Sequence, residues 1–233
     1  MDLAARQVAS FREAYRRDCI GRQYRGVAHA CFTFGLGTMV IAVAVAGLED
    51  VRPMEWLTIP LTFLYANLVE YLGHRGPMHH PRKGLRIIYE RHAGQHHRFF
   101  TDAHMALEST RDLKAVLFPA VMITFFLVAF ALPAGLLLAW LASANVGWLF
   151  VLTAMAYFLN YEALHLCYHL PERSIIGRLP VIRRLRRLHQ AHHDPRLMAS
   201  HNFNITYPIG DLLFGTLWRE APSGRGEGVG IAR

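Results

Sequence analysis

Ten of the fourteen histidines in this chain fall into four short groups. His74 and His79 form the first, His92, His96 and His97 the second, His165 and His169 the third, and His189, His192 and His193 the last. Neutral imidazole is a good ligand for iron, zinc and copper. On a helix, residues three or four apart share a face, so His92–His96, His165–His169 and the last group each aim their rings at one point. His97 lies further round its helix and suits a second ion. Gly76 and Pro77 predict a break between His74 and His79, with one ligand from a helix end and the other from a turn. Ten imidazoles exceed the roughly four to six positions of one transition-metal ion. Two ions sharing the set is the economical reading, with all ten as ligands.

Two acids stand where they could orient these rings. Glu70 is four residues before His74, and Glu162 is three before His165. Either could accept the free ring N–H of a ligand and so fix its tautomer. A carboxylate at a membrane boundary is costly without such a partner. Asn67, Glu70 and His74 make one polar stripe and Glu162, His165 and His169 another, and the two stripes are expected to face each other. No catalytic base or nucleophile is apparent beyond the metal ligands.

The elements that position these groups are apolar. Of the 233 residues, 53% are hydrophobic and the mean hydropathy is +0.19, yet the net charge is +8. From Ala115 to Tyr161 no residue is charged, a helical length of about 70 Å, which suits two crossings of a ~30 Å hydrocarbon core. Val27 to Gly47 is a second uncharged run, and Trp56 to Gly73 carries only Glu70. The expectation is an all-α integral membrane protein of four transmembrane helices, near 27–48, 56–73, 114–135 and 146–168. The segment 133–147 could be a turn, a kinked continuation or a re-entrant stretch. Residues 1–26 read as an interfacial N-terminal segment, 27–220 as the membrane domain and 221–233 as a disordered tail. The three cysteines form no disulfide framework.

Six arginines precede the first span, whereas the loop after it has one arginine and three acids, so the N-terminus is expected in the cytoplasm. Four spans then bring all four histidine groups to that same face, as a helical cap holding a dimetal site. The basic residues flank apolar spans, which argues for a membrane partner and against nucleic acid. Among alternatives, binding of lipid headgroups would not need paired histidines with acids at ligand-orienting spacing. A bis-histidine haem uses only two ligands, and zinc transport calls for ligands near mid-span. A metal- or haem-binding membrane protein without catalysis stays as the alternative from another class. His29, His80, His104 and His201 fall outside the pattern, His80 being the nearest to it.

The ordered motifs HxxxxH (74–79), HxxxHH (92–97), HxxxH (165–169) and HxxHH (189–193) resemble the fatty acid hydroxylase/sterol desaturase superfamily of membrane di-iron oxygenases. Glu70-Tyr71-Leu72-Gly73-His74-Arg75, Tyr161-Glu162-Ala163-Leu164-His165, Asn202-Phe203-Asn204 and Asp211–Thr216 add to the likeness, which covers about Leu61 to Trp218. Many members have HxxHH where this chain has His92-Ala93-Gly94-Gln95-His96-His97, one residue longer, which bears most on His96. The resemblance implies two non-haem iron ions, with zinc as a substitute in purified protein. It implies O₂-dependent hydroxylation of a lipid from the bilayer, with desaturation or sterol or carotenoid oxygenation as runners-up. No haem- or flavin-binding segment is apparent, so a ferredoxin, cytochrome or reductase would supply electrons. Two lysines against 23 arginines suggest a GC-rich bacterial genome, and hence a bacterial cytoplasmic membrane.

Overall fold

An apolar segment in lipid has to satisfy its own backbone N–H and C=O groups, and coiling into a helix does this within the segment. The computed structural model describes residues 3–218, and its regular structure there is helical, with no β-strand. The long elements are α1 (Leu3–Asp18), α2 (Gly26–Ala46), α3 (Thr58–Gly73), α4 (Ala120–Leu141), α5 (Ala144–His169) and α6 (Pro180–His192). Of these, α2, α4 and α5 are long and apolar enough to cross a membrane. Helix α3 has 16 residues, about 24 Å, and falls short of the ~20 residues a crossing takes. Of the four expected spans, three are helices of full crossing length, and the one expected near 56–73 is a shorter helix packed on α5.

The third span runs from Ala120 to Leu141, not from 114 to 135. A proline lies near each end of that shift. Leu113–Val116 is helical, but the backbone leaves the helical region at Leu117 and is still outside it at Pro119, the N-cap of the next helix. Pro133 does not end the helix. A π-helical turn at Leu127–Ala131 precedes it and widens the coil just where proline would crowd the preceding turn. The segment 133–147 is thus helix to Leu141, a tight turn at Ala142–Ser143, and helix again. The Ser143 hydroxyl caps α5 by accepting the Val146 N–H at 3.3 Å. Gly147 permits the close return, since a Cβ there would stand 2.6 Å from the Gly135 carbonyl oxygen.

Helix α5 is the central post. Its middle packs Val151 and Met155 against Ile123 and Ala131, and its last turns pack Tyr161 and Tyr168 with Ile182 and Ile205. Helix α1 gives its apolar face to the protein, with Tyr15 and Phe11 against Phe99, Phe100, Ala115 and Val116. The C-terminal ends of α3, α5 and α6 meet at one end of the molecule. The tail 221–233 lies outside the described residues.

Candidate metal centre

All ten grouped histidines are buried where those helix ends meet, none more than 8% exposed. They divide into two sets. The ligand atoms of His74, His79, His92, His97 and His192 lie within 4.8 Å of one another, and so do those of His96, His165, His169 and His189. His193 adjoins the second set, its Nε2 standing 3.2 Å from Nε2 of His96 and 3.1 Å from that of His189. Its ring also stacks on His97 at 4.2 Å between centroids, which places it at the junction of the two sets. The remaining histidines are engaged elsewhere. His29 lies between the Tyr24 hydroxyl and the Phe118 carbonyl, His80 against the Arg75 carbonyl, His104 beside Thr101 and His201 beside Ser200.

Backbone carbonyls hold the ring tautomers. Nδ1 of His96 donates to the Ala115 carbonyl at 2.8 Å, His169 to Met105 at 2.8 Å, His192 to His201 at 2.9 Å and His193 to Phe100 at 2.6 Å. Nδ1 of His74 donates to the Phe203 carbonyl. In a neutral ring whose Nδ1 carries the proton, Nε2 is a bare acceptor. His96 and His193 therefore face each other at 3.2 Å with two lone pairs and no proton between them. That is not a hydrogen bond; it is a geometry that a shared cation satisfies. The buried Nδ1 atoms of His79, His97 and His189 have no partner in the protein.

Burial keeps these rings neutral. It is the first cause of pKa values pushed down to about 4 at His96 and His192 and about 2 at His79. His74, His92, His97, His189 and His193 are also lowered, by burial first and by neighbouring imidazoles second. Near neutral pH the set is an array of unprotonated ligands, the form that a transition metal requires. Nitrogen donors in two groups of four to five, free of competing protons, fit two such ions.

Two local expectations are corrected. His74 stands at the end of α3 and His79 in the turn beyond it, as expected, but no break at Gly76 and Pro77 separates them. His74–Met78 forms a π-helical turn with Pro77 inside it, and His79 caps its end, its Nε2 3.2 Å from that of His74. A π turn also carries the longer second motif. Glu90–His96 is π-helical, so the additional residue is absorbed in a wider coil. His92 pairs with His97 at 3.1 Å and His96 turns to the second set, the reverse of the expected pairing of His92 with His96. The last group is likewise split, His192 to the first set and His189 to the second.

The acids, in turn, do not touch the rings. Glu70 accepts from the Thr206 N–H at 2.9 Å, the Thr206 hydroxyl at 2.6 Å, the Tyr157 hydroxyl and the Ile205 N–H. Glu162 accepts the Phe118 N–H at 3.1 Å. Their role is one step removed, because Glu70 ties down the strip that presents the Phe203 carbonyl to His74. The stripe on α3 thus meets Tyr157 of α5 rather than Glu162, with Asn67 donating to the Tyr157 hydroxyl at 3.0 Å.

Several positioning groups had no sequence signal of their own. The carbonyls of Phe100, Met105, Ala115 and His201 are main-chain groups that any residue supplies. Asp211 was at least flagged by its motif. It accepts the N–H groups of Phe203 at 2.9 Å and Asn204 at 2.8 Å and so pins the turn that serves His74.

A cavity of about 390 Å³ runs between α3, α4 and α5 up to His74. Phe118, Phe125, Phe126, Phe130, Phe150 and Phe158 give it an apolar wall, with Glu70 and Tyr157 near its histidine end. The model of the family described as "Fatty acid hydroxylase" matches residues 59–216, more than half of the chain, from early α3 to just past the last histidine group. No curated protein and no solved structure matches the chain. The motif order, the paired imidazole sets and that match agree, and the chain belongs to the fatty acid hydroxylase family, within the fatty acid hydroxylase/sterol desaturase superfamily.

Proposed function

We propose that this protein is a membrane-bound non-haem di-iron oxygenase that hydroxylates a fatty acyl or related apolar chain. The observation that carries the reading is the cavity: an apolar channel between membrane-type helices that ends at buried His74. His74, His79, His92, His97 and His192 would hold one iron, and His96, His165, His169, His189 and His193 the other. The iron pair, when bound, would supply electrons to O₂, and an external ferredoxin, cytochrome or reductase would restore them. In balance, a C–H bond, O₂, two electrons and two protons become an alcohol and water.

The residues of this chain supply geometry. The carbonyls of Phe203, Ala115, Met105, His201 and Phe100 keep five Nε2 lone pairs turned inward. The phenylalanine wall excludes water and confines an acyl chain to one line of approach. In the same reading α3 completes a fourth crossing and the histidines face the cytoplasm, supported by the arginine-rich segment before α2. Nε2 separations of 2.7–3.2 Å leave no room for a macrocycle, which counts against the haem alternative.

Iron analysis of the purified protein, together with mass spectra of lipids from cells with and without the gene, tests this. About two irons per chain and lipids heavier by one oxygen atom are expected. His165→Ala and His193→Ala should each lower iron and abolish the product while leaving membrane insertion intact. Full activity in both variants, or haem absorbance in the wild type, would sink the reading. Loss of two hydrogens instead of gain of oxygen would favour the desaturase runner-up.

A further inference from the structure

The link between α5 and α6 carries a second constellation, separate from the histidines. Arg173, Arg178, Arg183, Arg186 and Arg187, with Glu172, surround a depression of about 470 Å³. Arg183, Arg186 and Arg187 stand at spacings of three and four on α6 and so share one face. Arg186 is only 4% exposed. One of its amino nitrogens donates to the Leu170 carbonyl, but its Nε and Nη1 are buried with no partner. A buried guanidinium with open donors is costly unless an anion completes it. Among the described residues none of the five arginines pairs with a carboxylate. Converging guanidinium forks match a phosphate better than any other common anion.

The surroundings indicate which phosphate. Ile175, Ile176, Leu179 and Val181, in the same link, are 87%, 42%, 50% and 66% exposed. Leu170 directly follows the end of α5, a helix long and apolar enough to cross a membrane. Exposed apolar side chains just past the end of such a helix suit the boundary where acyl chains give way to headgroups. Apolar side chains beside an arginine pocket are what such a boundary rewards.

We propose that the 171–190 segment binds the phosphate of an anionic phospholipid headgroup from the surrounding membrane. The lipid completes Arg186, while Ile175 and Val181 sit in the acyl layer beside it. Arg186 already holds the carbonyl that follows His169, and α6 carries His189, His192 and His193. Headgroup binding thereby clamps the two ligand-bearing helices together. The inference needs only the membrane boundary and not the iron chemistry.

The test uses the full chain, stripped of lipid in detergent and placed in nanodiscs of phosphatidylcholine alone or with phosphatidylglycerol. Native mass spectrometry reads retained lipid and a melting curve reads stability. Phosphatidylglycerol should be retained and should raise Tm over phosphatidylcholine, and high salt should release it. The double substitutions Arg183→Ala/Arg187→Ala and Ile175→Ser/Val181→Ser should each lower retention, the first by about tenfold or more. Two results overturn the proposal: retention by both variants equal to wild type, or the same Tm rise from inorganic phosphate in phosphatidylcholine discs. If the arginine variant does not fold, the Ile175/Val181 pair and the salt dependence still decide.

Discussion

At the scale of single residues, what separates this site from a loose collection of imidazoles is the proton on Nδ1. Each carbonyl that takes it commits a ring to presenting a bare Nε2. Two of those carbonyls, Phe100 and Met105, lie on one loop and serve His193, which adjoins the second set, and His169, which belongs to it. Arg12 holds that loop. Its Nε donates to the Phe99 carbonyl at 2.8 Å, and its two amino nitrogens reach Glu108 at 2.7 Å and the His104 carbonyl at 2.7 Å. Arg12 is buried and lies outside the stretch matched by the family, so it is a positioning residue contributed by α1. Arg12→Ala should cost about 3 kcal/mol of stability, as charged hydrogen bonds are lost and carbonyls left open. It should also release one iron of the two, read as a halved iron content and as the Mössbauer signature of an isolated ion. Arg12→Lys should fail to restore the second iron, because an ammonium cannot span three acceptors as the guanidinium fork does. Exposed Arg22→Ala is the control. Two irons in Arg12→Ala would show that the loop holds itself.

At the scale of elements, the π turns do what α-helix cannot. Histidines five apart fall out of line on an α-helix, yet both HxxxxH spacings, 74–79 and 92–97, converge because the coil widens between them. The longer second motif is then a compensated insertion. In an α-helix the family's shorter HxxHH puts its second and third rings at three and four residues; a π turn returns four and five to the same face. Deleting Gly94 should let the segment revert to α-helix and leave both irons bound, within error of wild type, whereas an added alanine there should release iron. Iron loss on deletion would mean that the π turn itself is needed. The helices were legible in the sequence because charge-free runs and histidine spacing are local patterns. The same patterns located all ten buried imidazoles but not their division into two sets, since helical spacing paired His92 with His96 and kept His189 with His192, whereas the fold separates both pairs. The break at Leu117–Pro119 and the passage through Pro133 were not legible, since both depend on whether a proline's lost hydrogen bond is absorbed nearby. Nor were the partners of Glu70 and Glu162. Spacing along one helix shows which side chains are neighbours there, but not that residues 203–206 and Phe118 would arrive from elsewhere to claim them.

At the scale of the whole molecule, helix direction sets what the cavity can measure. Helices α3 and α5 run toward the histidines and α4 runs away from them, so Met122 and Gly73 lie near the site and Thr62, Ala134 and Phe150 at the far end. From Gly73 to Thr62 the channel follows α3 for about 16 Å. An acyl chain threaded along it would place one methylene near His74, with the remainder stored toward Ala134. Filling the far end should therefore alter which chains fit without altering the metal. Ala134→Phe should leave iron content at the wild-type level and shift the products toward shorter chains, since the added ring takes up part of the about 390 Å³ that the end of a longer chain would occupy. Ala154→Phe, placed nearer the middle, should shift them further. The measurement is the chain-length distribution of oxygenated lipids from cells expressing each variant. An unchanged distribution with unchanged iron would mean that the substrate reaches His74 by another route, and the channel would then have no part in selecting it.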